Sequence, residues 1–206
     1  MGRTPAIDTL IFDYDGVLAD TEPLHWRSWA EILAPLGIEF TWDRYCEIGR
    51  GIHDDHMLDS LRQLVQDPSV LSRLGEQNAL RRAMIRDLCE SEPPICESTI
   101  AMLHSLKEYR LGLVTSAAES DVQPVLRAAG ISQCFDALVF GEDVECPKPA
   151  PDPYLLVSRL LGSKTGLVFE DSDAGITSAQ QAGFTVIPIT RPGQLSRLVY
   201  RELSRS

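Results

Sequence analysis

Asp13 and Asp15 stand one residue apart at the end of a short apolar run, residues 7–12, and Gly16 follows them at once. Carboxylates beside a buried run are costly to desolvate unless something compensates them. A divalent cation is the usual compensation, because hard cations take carboxylate and carbonyl oxygens. The bland alternative is a strand-to-loop turn in which Asp and Gly are simply turn formers. Further groups could join the pair. Thr115 and Ser116 follow the apolar residues 111–114, Lys148 lies between two prolines, and Glu170 and Asp171 follow residues 166–169. Four carboxylates, Asp13, Asp15, Glu170 and Asp171, could hold one Mg2+, with waters and a phosphate oxygen completing an octahedral shell. A carboxylate so held can attack phosphorus to give an aspartyl-phosphate, and a second can protonate the leaving oxygen and later deprotonate water. The Thr115 hydroxyl, the Ser116 N–H and the Lys148 ammonium would grip the equatorial phosphoryl oxygens, where charge must be stabilised during transfer.

These groups can converge only if the elements between them align. Strand-like apolar runs occupy residues 7–12, 111–114, 135–140, 166–169 and 184–189. Helical spacing fills most of the intervals, over residues 98–109 (Ser98 as N-cap), 120–129, 150–161 and a stretch ending at Gly183, with a terminal helix over 194–203. Strands and helices alternating at this pitch predict an α/β fold, a doubly wound parallel sheet with a Rossmann-like core. In such a sheet ligands bind beyond the carboxyl ends of the strands. Every group named above lies just past such an end, whereas ordinary turn formers would fall at both ends.

One stretch breaks the alternation. Residues 20–91 contain no convincing strand, and helical patterns run on from Pro23 to Gly37, over 54–65 and over 69–89. The expected organisation is a catalytic core of residues 1–19 and 92–206 carrying an inserted α-helical cap of residues 20–91, closed off by Pro93 and Pro94. Within the insert Trp26 and Trp29 read as packing. Asp20 reads as a helix cap or loop-fixing residue, and Ser172 and Asp173 read only as caps of the helix that follows them.

The whole chain is compatible with this plan. Its 206 residues, 44% hydrophobic and 24% charged, suit one substantial core with an insert. A formal charge of -11 argues against nucleic acid or an anionic membrane as partner, yet it leaves room for a phosphorylated small molecule held by a local cation. The five cysteines form no Cys-x-x-Cys pair and read as reduced thiols. With no signal-like or membrane-spanning run, the expectation is a cytoplasmic protein, monomeric by default.

Residues 12–25, Phe-Asp-Tyr-Asp-Gly-Val-Leu-Ala-Asp-Thr-Glu-Pro-Leu-His, resemble the first signature of the haloacid dehalogenase-like hydrolases, in their phosphatase and phosphomutase branch. Leu-Val-Thr115-Ser116 resembles the second, residues 147–154 (Pro-Lys-Pro-Ala-Pro-Asp-Pro-Tyr) the third, and Val-Phe-Glu170-Asp171-Ser-Asp-Ala-Gly-Ile the fourth, in family order across nearly the whole chain. The resemblance implies Asp13 as nucleophile and metal ligand, and Asp15 as general acid/base that binds metal through its backbone carbonyl. It implies phosphate binding by Thr115 and Ser116, Lys148 holding phosphate against Asp13, and Mg2+ ligation by Glu170 and Asp171. The insert would be the cap that closes over the site and selects a small phosphorylated metabolite, sugar phosphates among them. Dehalogenation is disfavoured, since members with that chemistry lack the Asp that stands here as Asp15.

Two cap positions bear on the substrate. His25 resembles a histidine that assists acid/base switching in phosphoglucomutase members, although many plain phosphatases share it. Gly49-Arg50-Gly51 resembles the cap loop that faces the site, which makes Arg50 a candidate phosphate contact. Sugar phosphomutases carry cationic residues where this chain has Asp54 and Gln77. That departure favours a phosphatase over a β-phosphoglucomutase-like mutase. A non-catalytic phosphometabolite binder is the third expectation, and the intact Asp13/Asp15 pair argues against it.

Overall fold

The computed structural model describes residues 7–49, 57–61 and 68–205. The chain divides into two compact units, Met1–Asp20 with Pro93–Ser206, and Thr21–Glu92. In chain order the principal elements are β1 (Thr9–Phe12), α1 (Glu22–Leu33), α2 (Trp42–Ile48), α3 (Pro68–Ser91), α4 (Glu97–Ser105) and β2 (Arg110–Val114). Then follow α5 (Glu119–Ala128), β3 (Ala137–Val139), α6 (Asp152–Leu161), β4 (Leu167–Glu170), α7 (Asp173–Gln181), β5 (Thr185–Pro188) and α8 (Leu195–Leu203).

The first unit is built on one five-stranded sheet in the order β3-β2-β1-β4-β5, parallel at every pairing. This is the doubly wound α/β arrangement expected from the alternation of elements. β1 lies at its centre, with Ile11 opposite Gly112 of β2 and Val168 of β4, and Phe12 opposite Leu113 and Phe169. Every residue of β1 and β4 is buried, which explains the unbroken apolar runs of residues 10–12 and 167–169: a central strand covered on both faces has no solvent side. On one face Ile11, Val114 and Val168 share a core with Tyr154, Val157 and Leu161 of α6. Gly112 leaves room there, because a β-carbon would stand 2.8 Å from a Val157 methyl and 3.0 Å from a Leu161 methyl. Phe12 and Phe169 stack with ring centroids 5.2 Å apart. The chain winds outward from β1 through β2 to β3, then crosses back to β4 on β1's other side. The switch point therefore lies between β1 and β4, where such sheets bind ligands.

Several boundaries differ from those read off the sequence. β5 is an edge strand and none of its residues is fully buried, so its apolar run does not mark a covered strand. β3 holds three residues, where six looked strand-like, because the chain turns into a 3-10 segment, Gly141–Asp143, just beyond it. Helix α4 starts at Glu97 with Cys96, not Ser98, at its N-cap position.

In the second unit α1 and α2 join residues 57–61 and α3 around Trp29, Leu33, Phe40, Tyr45, Met57, Leu61 and Leu74. The buried Arg81 guanidinium lies 4.1 Å above the Trp29 ring and donates to the Ser28 hydroxyl at 3.2 Å. Helix α1 ends at Leu33, and a 3-10 turn carries the chain to Gly37, whose φ of 76° closes it. Of the helix expected over 54–65, residues 57–61 are helical and the rest lie outside the described residues. Among the described residues no helix is long and apolar enough to cross a membrane.

Candidate active site

Asp13 is the first residue past β1. Its N–H donates to the Phe169 carbonyl at 3.0 Å, which extends the β1–β4 pairing by one residue and fixes Asp13 level with Glu170. The loop beyond then folds back on itself. The Tyr14 carbonyl accepts from the N–H groups of Leu18 and Ala19, both at 2.9 Å, and the Gly16 N–H donates to the Ala19 carbonyl at 2.9 Å. Asp15 bridges to Ala19 across this turn. Gly16 has φ 73°, and a β-carbon there would overlap the Asp171 carboxylate. Its lack of a side chain thus serves both the turn and the neighbouring acid.

Lys148 ties the sheet's central strands together. Its ammonium donates to Asp13 Oδ1 at 2.6 Å, Glu170 Oε1 at 2.6 Å and the Val114 carbonyl at 3.2 Å, one acceptor from each of the carboxyl ends of β1, β4 and β2. The lysine side chain is 6% exposed, so it is no solvated loop lysine. Glu170 is wholly buried and accepts on both oxygens. Besides Lys148, Oε1 accepts from the Tyr154 hydroxyl at 3.0 Å. Oε2 accepts from Asp171 N–H at 3.0 Å and from Ser172 N–H and Oγ–H, each at 3.1 Å. Ser172 therefore does more than the capping expected of it. Its Oγ accepts from Gly175 N–H at 3.0 Å to cap α7, while the same hydroxyl donates to Glu170. Gly175 is needed as glycine, because a β-carbon would occupy the Glu170 carboxyl. Tyr154, Ser172 and Gly175 were not expected in the site from the sequence, where their only signal is proximity to the third and fourth motifs.

The chain matches the haloacid dehalogenase-like hydrolase family over residues 10–189, which spans every group just described. The chain belongs to this family. Among curated relatives, the fructose-1-phosphate phosphatase YqaB of Escherichia coli (strain K12) is 30% identical over 185 residues, 87% of this chain and 95% of that protein. A phosphorylated carbohydrates phosphatase of Thermotoga maritima is 30% identical over 180 residues, 86% of this chain and 82% of its own. Among solved structures, CbbY of Rhodobacter sphaeroides in complex with phosphate superposes with a TM-score of 0.67 at 26% identity, covering 88% of this chain and 86% of that one.

Burial and like charge act together on the acids of this haloacid dehalogenase-like site. Burial pushes the Asp13 carboxyl well above the usual carboxylate range, and repulsion from Glu170 and Asp15 adds to this, against the opposing pull of Lys148. Burial, Glu170 and Asp15 raise Asp171 to about 6. Burial alone would depress the Lys148 ammonium, but Asp13 and Glu170 reverse that and hold it above the ordinary lysine value. The Tyr154 hydroxyl is pushed far up by burial and by Glu170, so it remains a hydrogen-bond donor. One oxygen from each of Asp13, Glu170 and Asp171 lies within 4.8 Å of the others. A crowded all-oxygen set with excess negative charge fits a hard divalent cation, which would relieve the repulsion that raises Asp13 and Asp171.

Thr115 comes directly after β2 and is buried; its N–H donates to the Val139 carbonyl at 2.9 Å and its Oγ1 accepts from Ala117 N–H at 3.0 Å. Ser116 is exposed on the same turn, and its carbonyl occupies the space a Gly141 β-carbon would need. Both stand at the same end of the sheet as Asp13, since β1 and β2 are parallel and in register. His25 lies on α1 of the second unit, half-buried, and its carbonyl accepts from the Ser28 hydroxyl at 2.7 Å. Asp20 is exposed and does not cap α1, whose N-cap position is Thr21. Arg50, with Asp54, lies outside the described residues.

Proposed function

We propose that this protein is a Mg2+-dependent phosphomonoester hydrolase that acts on small phosphorylated metabolites, sugar phosphates among them, through an aspartyl-phosphate on Asp13. That it is a phosphatase follows from its family and from relatives that carry that name along nearly the whole chain. The observation that carries the finer reading is the Lys148 ammonium held between Asp13 and Glu170, at the end of the sheet where ligands bind.

In this reading the Asp13 carboxylate attacks phosphorus in line, and the bond to the ester oxygen breaks. Asp15 gives its proton to that oxygen, and the alcohol leaves. Asp15 then takes a proton from water as the water oxygen attacks the acyl phosphate, releasing inorganic phosphate and restoring both carboxyls. Lys148 supplies positive charge against the phosphoryl oxygens, and the Thr115 hydroxyl with the Ser116 N–H holds two of them. Asp13, Glu170, Asp171 and the Asp15 carbonyl would hold the Mg2+. When bound, the ion neutralises phosphoryl charge and lets two anions approach. That the second unit selects the substrate, with His25 and Arg50 among the substrate-binding residues, belongs to the same proposal.

Two named relatives support hydrolysis of a sugar phosphate over isomerisation. A screen of phosphorylated metabolites for phosphate release with Mg2+ is the test. The expected result is release by the wild type and a loss of at least about a thousandfold in Asp13→Asn, as for removal of a nucleophile. Activity that survives in the variant, or interconversion of hexose phosphates without release, overturns the reading.

A further inference from the structure

Tyr154 takes no part in the chemistry above, yet it is built into the site. It is wholly buried on α6 among Val157 and Phe184, where a phenylalanine would fill the same apolar space without desolvating a hydroxyl. Its hydroxyl reaches Glu170 Oε1 at 3.0 Å, the oxygen that accepts from Lys148 at 2.6 Å, and its ring face lies 5.3 Å from the Lys148 ammonium. Glu170's other oxygen is anchored by three donors on the chain that follows it. Oε1 accepts from Lys148 and Tyr154, and of these two it is Tyr154 whose ring is locked in the core.

We propose that Tyr154 is a positioning residue. Its hydroxyl fixes Glu170 Oε1, its ring bounds the ammonium by a cation–π contact, and together they keep Lys148 on Asp13 Oδ1. Without the hydroxyl, Lys148 and Glu170 Oε1 can shift together, and the ammonium no longer sits at a fixed place relative to the attacking carboxylate. The kinetic consequence rests on the phosphatase reading; the geometric one does not.

The test compares wild type, Tyr154→Phe, Glu170→Gln and the double variant, by steady-state kinetics and by the 15N–1H resonance of the Lys148 ammonium, assigned through its loss in Lys148→Arg. Tyr154→Phe is expected to keep the melting temperature within a few degrees. Its kcat should drop about tenfold at nearly unchanged KM, the scale of one misplaced charge-assisted hydrogen bond. In the Glu170→Gln background the same substitution should cost clearly less, because the oxygen that Tyr154 holds is no longer the charged partner of Lys148. The ammonium signal should move and exchange faster in Tyr154→Phe. Wild-type kcat together with an unmoved ammonium signal overturns the proposal. So does a Tyr154→Phe effect as large in the Glu170→Gln background as in the wild type. Failure of the wild type to hydrolyse any ester would sink the phosphatase reading alone, and the ammonium signal would still decide whether Tyr154 positions Lys148.

Discussion

At Glu170 a single carboxylate accepts five hydrogen bonds, two on Oε1 and three on Oε2. Its neighbour Asp171 reaches the surface, but its carboxyl is partly desolvated beside Glu170 and raised to about 6. The adjacent acids thus divide the work: one is anchored by the protein, and the other has charge that an added cation would satisfy. The sign of the pH effect follows. An acid whose folded pKa exceeds its ordinary value of 3.8 binds more protons when folded. The metal-free protein should therefore lose stability from Asp171 as pH rises from about 4 towards 6, and that loss is complete above 6. Mg2+ binds the ionised form and removes the penalty. Added Mg2+ should raise the melting temperature at about pH 7.5, with the increment shrinking as pH falls through about 6 and little left near about pH 5. In Asp171→Asn the increment should be small at both ends. Thermal melts with and without Mg2+ across this range check it, and an equal increment at both extremes counts against Asp171 as a ligand.

At the scale of elements, the start of α7 does two jobs with one side chain. Ser172→Ala removes an N-cap worth about 1 kcal/mol, which for a chain of this size is about 2–4 °C in melting temperature. It also takes one of Glu170's five hydrogen bonds. Gly175→Ala leaves the cap in place but drives a methyl group into the Glu170 carboxyl. The expected order is a modest fall in kcat for Ser172→Ala, within about tenfold, and a much larger one, about a hundredfold or more, for Gly175→Ala. Equal effects in side-by-side kinetics and melts would show that α7 acts on the site only through helix stability. These residues also mark how far the sequence could be read. β1 and β4 were legible because doubly buried strands write continuous apolar runs, and the groups past their ends were legible because one end of a parallel sheet collects ligands. The Tyr154 and Ser172 donors to Glu170 were not. Tyr154 and Ser172 act through groups that meet at Glu170 only once α6, packed on β2 and β3, lies beside α7, packed on β4 and β5, and a polar residue near a helix start already has a sufficient local explanation as a cap. β5 misled for the opposite reason, since an edge strand can be apolar without being covered.

Across the whole molecule, the two units carry separate apolar cores, one on the sheet and one around Trp29. The chain passes between them twice, after Asp20 and after Glu92, and at the first unit the two passages are tied where Asp20 N–H donates to the Pro94 carbonyl at 2.8 Å. An insert whose ends are clamped together in this way can lose its own core without opening the sheet. Trp29 is 1% exposed and covered by the Arg81 guanidinium, so truncation removes both a large apolar volume and the ring face that Arg81 lies over. Trp29→Ala should cost the insert about 3–5 kcal/mol. Hydrogen exchange locates that cost. Amides of α1 and α3 should exchange faster by orders of magnitude, while those of β1 and β4 keep wild-type protection, because opening the insert leaves the sheet's ladder intact. Parallel acceleration in the sheet would mean instead that the two cores unfold as one cooperative unit.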